Sequence, residues 1–239
     1  MTEPIEQTAS IQSHGKWADI WAQFRHHKGA LFGGVLFILI VALVMLGPLF
    51  WHLEANTIDI RARNQGASWA HPLGTDQLGR DTFARLIAGG QTSISVGLTA
   101  MILSLFLGSL IGVLAGFYKR LDGLLMRMTD MFLSLPLLPL LLVMMLLFRD
   151  LLSQSFGPER GMFILIVFAI GITSWMPTAR IVRADVLAIK EREFILAARS
   201  VGLGDAALIL RHILPNVFSP IMVSATLGIA NAIITESAL

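Results

Sequence analysis

The stretch 30-ALFGGVLFILIVALVMLGPLF-50 runs for 21 residues without one charged side chain. About 20 apolar residues suffice to cross the hydrocarbon core of a bilayer. In hydrocarbon there is no water to take up backbone N–H and C=O groups, so only helices and closed barrels can span it. A barrel strand alternates apolar and polar residues over about ten positions, and this run does not alternate. It therefore reads as a membrane-spanning helix.

Four more runs follow the same rule: Ile94–Phe117, Met131–Phe148, Gly161–Ala179 and Ile213–Thr235, none containing a charge. The predicted fold is all-α, a polytopic transmembrane helix bundle with five spans. Composition agrees: 55% of the 239 residues are hydrophobic and only 14% charged, with mean hydropathy +0.71. A soluble domain carries roughly 25% charged residues. The absence of cysteine rules out disulfides and thiolate metal sites.

The first run is longer than a signal-peptide core of about 7–15 residues. The first fifteen residues hold Glu3 and Glu6 but no Lys or Arg, so the run reads as an uncleaved first span. Three parts are expected: an N-terminal segment 1–29, the first span with its outer loop 30–91, and a transmembrane core 92–239 that includes a water-facing loop 180–212. The chain ends in "ITESAL" as the fifth span reaches the outer face, so a sixth span is expected beyond Leu239.

Lys and Arg in the loops set orientation. With the N-terminus inside, the inner set is Lys16, Arg25, Lys28, Lys119, Arg120, Arg127, Arg180, Arg183, Lys190, Arg192, Arg199 and Arg211. The outer set is Arg61, Arg63, Arg80, Arg85, Arg149 and Arg160. Twelve against six favours a cytoplasmic N-terminus. The net charge of +2 is segregated by loop, which points to topology and not to nucleic acid.

The loop 193-EFILAARSVGLGDAALILRHILPN-216 then stands out as polar and broken between two spans. Helix formers run to Val201, Gly202 and Gly204 interrupt them, and Asp205 is placed to cap a helix through Ala206–His212. Pro215 is expected to open the fifth span, where its missing N–H costs nothing. Phe194, Ala197, Ala198 and Val201 fall at 0, +3, +4 and +7, an apolar stripe opposite Arg192 and Arg199. Such a helix either docks on a protein partner or lies on the membrane surface. A DNA-reading helix pair is disfavoured by the low charge and the two membrane tethers.

"AARSVG" followed by "RHILPN" resembles the EAA loop of permease subunits in binding-protein-dependent ABC importers. Ala197, Ala198, Gly202, Leu214 and Pro215 match that pattern, and Leu196 stands where the family usually has Glu. "HPLGTDQLGRDTFARLIAGGQTSISVG", His71 to Gly97, and "SWMPTARIVRADVLAIKEREF", Ser174 to Phe194, are similar to the dipeptide, oligopeptide and nickel branch, in the subunit with a short first outer loop. The likeness covers the chain from about Gly29 to Leu239. It implies a MetI-like permease fold in a bacterial inner membrane.

In that family the loop is a coupling helix seated on a separate ATPase. The likeness thus assigns coupling to Phe194, Leu196, Ala197, Ala198, Arg199, Val201, Gly202, Leu203, Gly204, Asp205, Leu214 and Pro215. It makes His71, Pro72, Leu73, Gly74, Thr75, Asp76, Gly79, Arg80 and Asp81 the outer-loop family motif. The expected partners are ABC ATPase subunits, a second homologous permease subunit, a solute-binding protein and the lipid bilayer. ATP and Mg²⁺ would be bound by the ATPase, with no cofactor in this chain. The chain itself has no G-x-x-x-x-G-K-[ST] phosphate loop.

Other features have plainer readings. His71, Asp76, Arg80 and Asp81 suggest turn chemistry in "PLGTD" more than a metal or catalytic cluster, with a helix expected from near Leu78. Arg127 and Asp130 are spaced to pair on one helix face. His14, His26 and His27 lack a consistent ligand spacing. Trp17, Trp21 and Phe24 form a stripe suited to an interfacial helix.

Pro136 and Pro139 within the third run and Pro220 within the fifth imply kinks, either lining a pathway or simply tolerated in a bundle. Gly108, Gly112 and Gly116 mark close helix packing. Glu236 is placed at the outer mouth or in the interface. No acid or base lies mid-span, which argues against an ion-coupled secondary transporter. No Ser/His, HExxH or paired-Asp arrangement marks an intramembrane enzyme.

Overall fold

The computed structural model describes residues 24–239. His14, Trp17 and Trp21 lie outside the described residues; Phe24 is exposed. The described residues fall into two compact units, one ending at Gly90 and one starting at Gln91.

In the first unit, α1 (Lys28–Phe50) is an apolar helix whose N-cap is His27, the imidazole accepting from the Ala30 N–H at 3.3 Å. It closes tightly on the start of α2 (Thr82–Phe117). A methyl on Gly47 would lie 2.8 Å from Ile87, and one on Gly90 would lie 2.6 Å from Val44. Trp51, just past α1, meets the Phe83 ring edge-on at 5.4 Å.

The second unit begins with the rest of α2. It continues through α3 (Lys119–Leu133), α4 (Leu137–Phe156), α5 (Pro158–Thr173), α6 (Trp175–Lys190), α7 (Glu193–Ser200) and the single turn α8 (Asp205–Leu208), and ends in α9 (Leu214–Ser237). No strand occurs among the described residues, which include five helices long and apolar enough to cross a membrane. Span one is Lys28–Phe50, close to the expected run, and spans two, four and five are longer than their apolar runs.

The third span differs. The chain breaks at Ser134–Pro136, and the span is Leu137–Phe156 instead of Met131–Phe148. Pro136 is its N-cap and Pro139 lies in its first turn, where no carbonyl awaits a donor, so neither kinks the helix. Pro220 does lie inside α9.

Asp130 does not pair with Arg127. Its carboxylate meets Arg180 of α6. The helical spacing was right, but a facing helix offered the better cation.

Gly108, Gly112 and Gly116 form the seam between α2 and α6. Methyls there would meet the carbonyls of Trp175, Ala179 and Arg183 at 2.7, 2.7 and 2.9 Å. Glycine at every fourth position lets the two backbones touch, the packing that membrane helices use in place of hydrophobic force. Thr178 and Ser224 then share a buried hydrogen bond at 2.7 Å, joining α6 to α9. Lys190 Nζ donates to the Gly116 carbonyl at 2.9 Å, fixing the far end of α6. Glu236 accepts from Ser93 Oγ at 2.8 Å.

Candidate functional site

The α6–α9 connection is an elbow whose inner side is held and whose outer side is bare. After Lys190, Arg192 begins α7 without a side-chain cap. Ile195 is fully buried and joins Leu208, Ile213, Val217, Val182 and Val186 in one core cluster, with Ala198 and Leu203 packed on it. Sequence reading missed Ile195. It falls one position past Phe194, and a stripe drawn from Phe194 alone cannot tell which neighbouring face turns inward.

Helix α7 ends in a Schellman motif. The Gly202 N–H donates to Arg199 C=O at 3.0 Å and the Leu203 N–H to Ala198 C=O at 3.1 Å. Gly202 has φ +89°, the left-handed conformation that this ending requires. Ala198 and Leu203, the two positions whose apolar packing accompanies this motif, both lie on the core cluster.

Beyond it, Asp205 is not the cap. Gly204 occupies that position, and Asp205 sits in the first turn, where its charge still suits the helix N-terminus. The chain then does not stop at His212. One π turn, Ile209–Ile213, closes with the Leu214 N–H on Ile209 C=O and runs straight into α9. The widened turn comes just ahead of Pro215, whose ring would otherwise press on the preceding turn.

The outer side carries Phe194, Leu196, Ala197 and Val201, all exposed, with Val201 at 86%. The sequence stripe thus splits: Phe194, Ala197 and Val201 face out, while Ala198 faces the core. Arg199 lies 5.8 Å over the Phe117 ring and Phe194 packs against His212 at 6.4 Å. The stiff aromatic and aliphatic groups of this surface are available to a partner.

Around α6, two carboxylates of α3 take two arginines. Asp122 binds Arg183 through both oxygens, with Arg183 Nη2 to Asp122 Oδ2 at 2.7 Å. Asp130 binds Arg180. The hydrogen bond from Arg183 holds the Asp122 carboxyl below its usual range.

The outer-loop motif lies in the first unit. Asp81, buried, caps α2 by accepting from the Ala84 N–H at 2.6 Å and from Trp51 Nε1 at 3.2 Å. His71 Nδ1 lies 2.8 Å from its other oxygen. The helix therefore starts at Thr82, not near Leu78: residues 76–80 form a turn around Asp76 instead. Asp76 accepts from the N–H groups of Leu78 and Arg80 and from the Arg80 and Arg85 side chains, at 2.8–3.0 Å.

Desolvation pushes the Asp76 carboxyl upward, but the Arg80 and Leu78 N–H groups and the Arg80 guanidinium outweigh it and bring it to about 2. Thr75 bridges the Gln65 N–H and the Ala62 carbonyl. Pro72 and Leu73 complete the turn that brings Gly74 N–H to His71 C=O at 2.9 Å.

The family of binding-protein-dependent transport system inner membrane components matches residues 104–239, and the N-terminal transmembrane domain of oligopeptide transport permease C matches residues 15–67. The oligopeptide transport system permease protein of Bacillus subtilis (strain 168) is 33% identical over 231 residues, 96% of this chain and 72% of its own. A protein of Brucella abortus biovar 1 (strain 9-941) named as a peptide permease is 37% identical over 228 residues, 95% of this chain and 72% of its own.

The chain belongs to the family of binding-protein-dependent inner membrane transport components. It is a permease subunit of an ABC importer and not an enzyme. Members of this family work with a binding protein and an ATPase.

Proposed function

We propose that this permease carries di- and oligopeptides, and that the elbow 191–213 transmits the motion of a separate ATPase subunit, which binds ATP and Mg²⁺, to α6 and α9. The peptide cargo is supported by the relatives' names. The coupling role rests on one observation: an exposed apolar face built from Phe194, Ala197 and Val201 sits on a helix whose other face, through Ile195, belongs to the same core as α6 and α9. A load applied to that face passes into both spans without crossing a flexible joint.

On this reading the elbow faces the cytoplasm, consistent with twelve basic residues on its side against six on the other. A second homologous permease completes the pathway, and the solute-binding protein docks on the opposite side, toward the His71–Asp81 loop. The chain is free of cysteine, so single thiols report cleanly. Val201→Cys should cross-link to the ATPase in the assembled importer, in a nucleotide-dependent way, and Ile58→Cys on the outer loop should not. Cross-linking of both or neither, or labelling of Val201→Cys by an impermeant thiol reagent from outside the cell, overturns the assignment.

A further inference from the structure

Helix α3 is amphipathic in a way that neither the fold nor the elbow explains. Its inner face uses Asp122, Leu125, Met126, Thr129 and Phe132, buried or half-buried, and is tied to α6 by the Asp122 and Asp130 ion pairs. On the far side Leu121, Leu124, Met128 and Met131 fall at 0, +3, +7 and +10, a single helical stripe. All four are exposed, Leu124 and Met131 by more than 60%. Arg120 and Arg127, seven apart along one edge of that stripe, are exposed and make no ion pair among the described residues.

The place of α3 in the chain fixes what lies beside it. Only Tyr118 separates it from the end of span α2, and only Ser134–Pro136 separate it from span α4. Its bonds to Arg183 and Arg180 run it alongside the middle turns of α6, and Phe132 meets Trp175 at the start of that helix, while its first residues lie where α2 ends. A helix held at the ends of two spans, with an apolar stripe edged by two unneutralised guanidiniums, matches the surface of an anionic leaflet: acyl chains for the stripe, phosphates for the arginines.

We infer that α3 is an interfacial helix that binds anionic phospholipid headgroups of the elbow-side leaflet through Arg120 and Arg127, with Leu121, Leu124, Met128 and Met131 set among the acyl chains. Because α3 is pinned to α6, the charge of that leaflet bears on the segment leading into the elbow. This inference stands independently of the ATPase-docking role proposed for the elbow.

The test uses the full chain in the assembled importer, reconstituted in nanodiscs. Leu124→Cys carries a fluorophore, and headgroup spin-labelled phosphatidylglycerol or phosphatidylcholine serves as quencher. The expected result is stronger quenching by phosphatidylglycerol. Each arginine replaced by glutamine should reduce the preference about fivefold, and the R120Q/R127Q pair roughly 25-fold, whereas R120K/R127K retains it. Equal quenching by the two lipids overturns the proposal, as does a preference that survives R120Q/R127Q. A label shielded from both lipids also overturns it, because a protein partner then covers the stripe. The elbow cross-link from Val201→Cys, measured in parallel samples without the label at position 124, separates failure here from failure of the coupling assignment.

Discussion

The loop between α1 and α2 and the elbow both join membrane-spanning helices and are both punctuated by glycine, yet they use glycine for opposite purposes. In the outer loop, Gly79 and Gly74 have φ +76° and +72°, and added methyls would lie 1.7 Å from the Asp59 carbonyl oxygen and 2.4 Å from that of Gln65. The loop is folded so closely on itself that side chains at those points have no room. In the elbow, Gly202 shares the left-handed conformation, but nothing lies within 4 Å of where its Cβ would be, and the same holds at Gly204. The polar groups of the outer loop are spent on one another. The elbow instead leaves Phe194, Leu196 and Val201 uncovered. A segment saturated with internal bonds is a fixed structure, and one that is anchored behind and bare in front is a contact surface.

The largest effect that would sharpen this contrast is expected at Gly79. Gly79→Ala drives a methyl into backbone that cannot yield and strains the dihedral as well, so the loop should lose its fold, a cost above about 4 kcal/mol. The measurement is recovery of detergent-stable protein together with proteolysis between Trp51 and Asp81. Gly66→Ala, where no atom lies within 4 Å and φ is not positive, should be nearly silent. Equal behaviour of the two variants would break the comparison.

Next comes Gly202→Val. Space is open, so only the left-handed backbone is penalised, by about 1–2 kcal/mol. Membrane insertion should survive, while the Schellman ending opens and both uptake and ATPase stimulation fall. Gly202→Asn, which tolerates this conformation, should keep most of both activities. Retention of full uptake and stimulation by the valine variant would show that the turn does not matter for coupling.

A smaller effect separates the two regions by pH. Asp76 sits at about 2 in the folded loop, against about 3.9 when unfolded. Its ionised carboxylate therefore stabilises the loop fully above about pH 4, and that contribution is lost as pH falls toward 2. Protease resistance of the outer loop should weaken over that window in the wild type. In Asp76→Asn the loop should be weaker at neutral pH and less sensitive to acid.

The membrane architecture was legible because hydrocarbon imposes length and lack of charge on each span, and the seam of Gly108, Gly112 and Gly116 was legible because its spacing matches one helix face. What sequence could not show was partner choice. Asp130 chose Arg180, fifty residues away, over Arg127 on its own helix. The start of the third span moved to Leu137 because Met131–Leu133 is apolar enough for lipid but ends a helix held on α6, and the chain then breaks at Ser134–Pro136. At the elbow, the glycines and the stripe were visible in the sequence. The inward turn of Ile195 depends on the angle at which α7 leaves Arg192, which only tertiary packing sets. The continuous π turn through His212 was hidden for a related reason: Pro215 normally signals a start, and here a widened turn carries the helix into it.

The smallest predicted effect tests whether the elbow borrows its rigidity from α3 and α6. Two ion pairs join those helices, and they are unequal. Arg180 and Asp130 are more than half exposed, so solvent screens them and Arg180→Gln should cost about 0.2–1 kcal/mol at most. Arg183 and Asp122 are about 30% exposed and share a two-pronged contact, which resists screening better. Arg183→Gln should therefore raise proteolysis at Gly202–Asp205 measurably, Arg180→Gln should raise it little, and neither should alter cleavage of the outer loop, which holds itself together. If Arg183→Gln leaves the elbow as resistant as before, the bare face is held by Ile195 and its core neighbours alone, and α3 plays no part in keeping it in place.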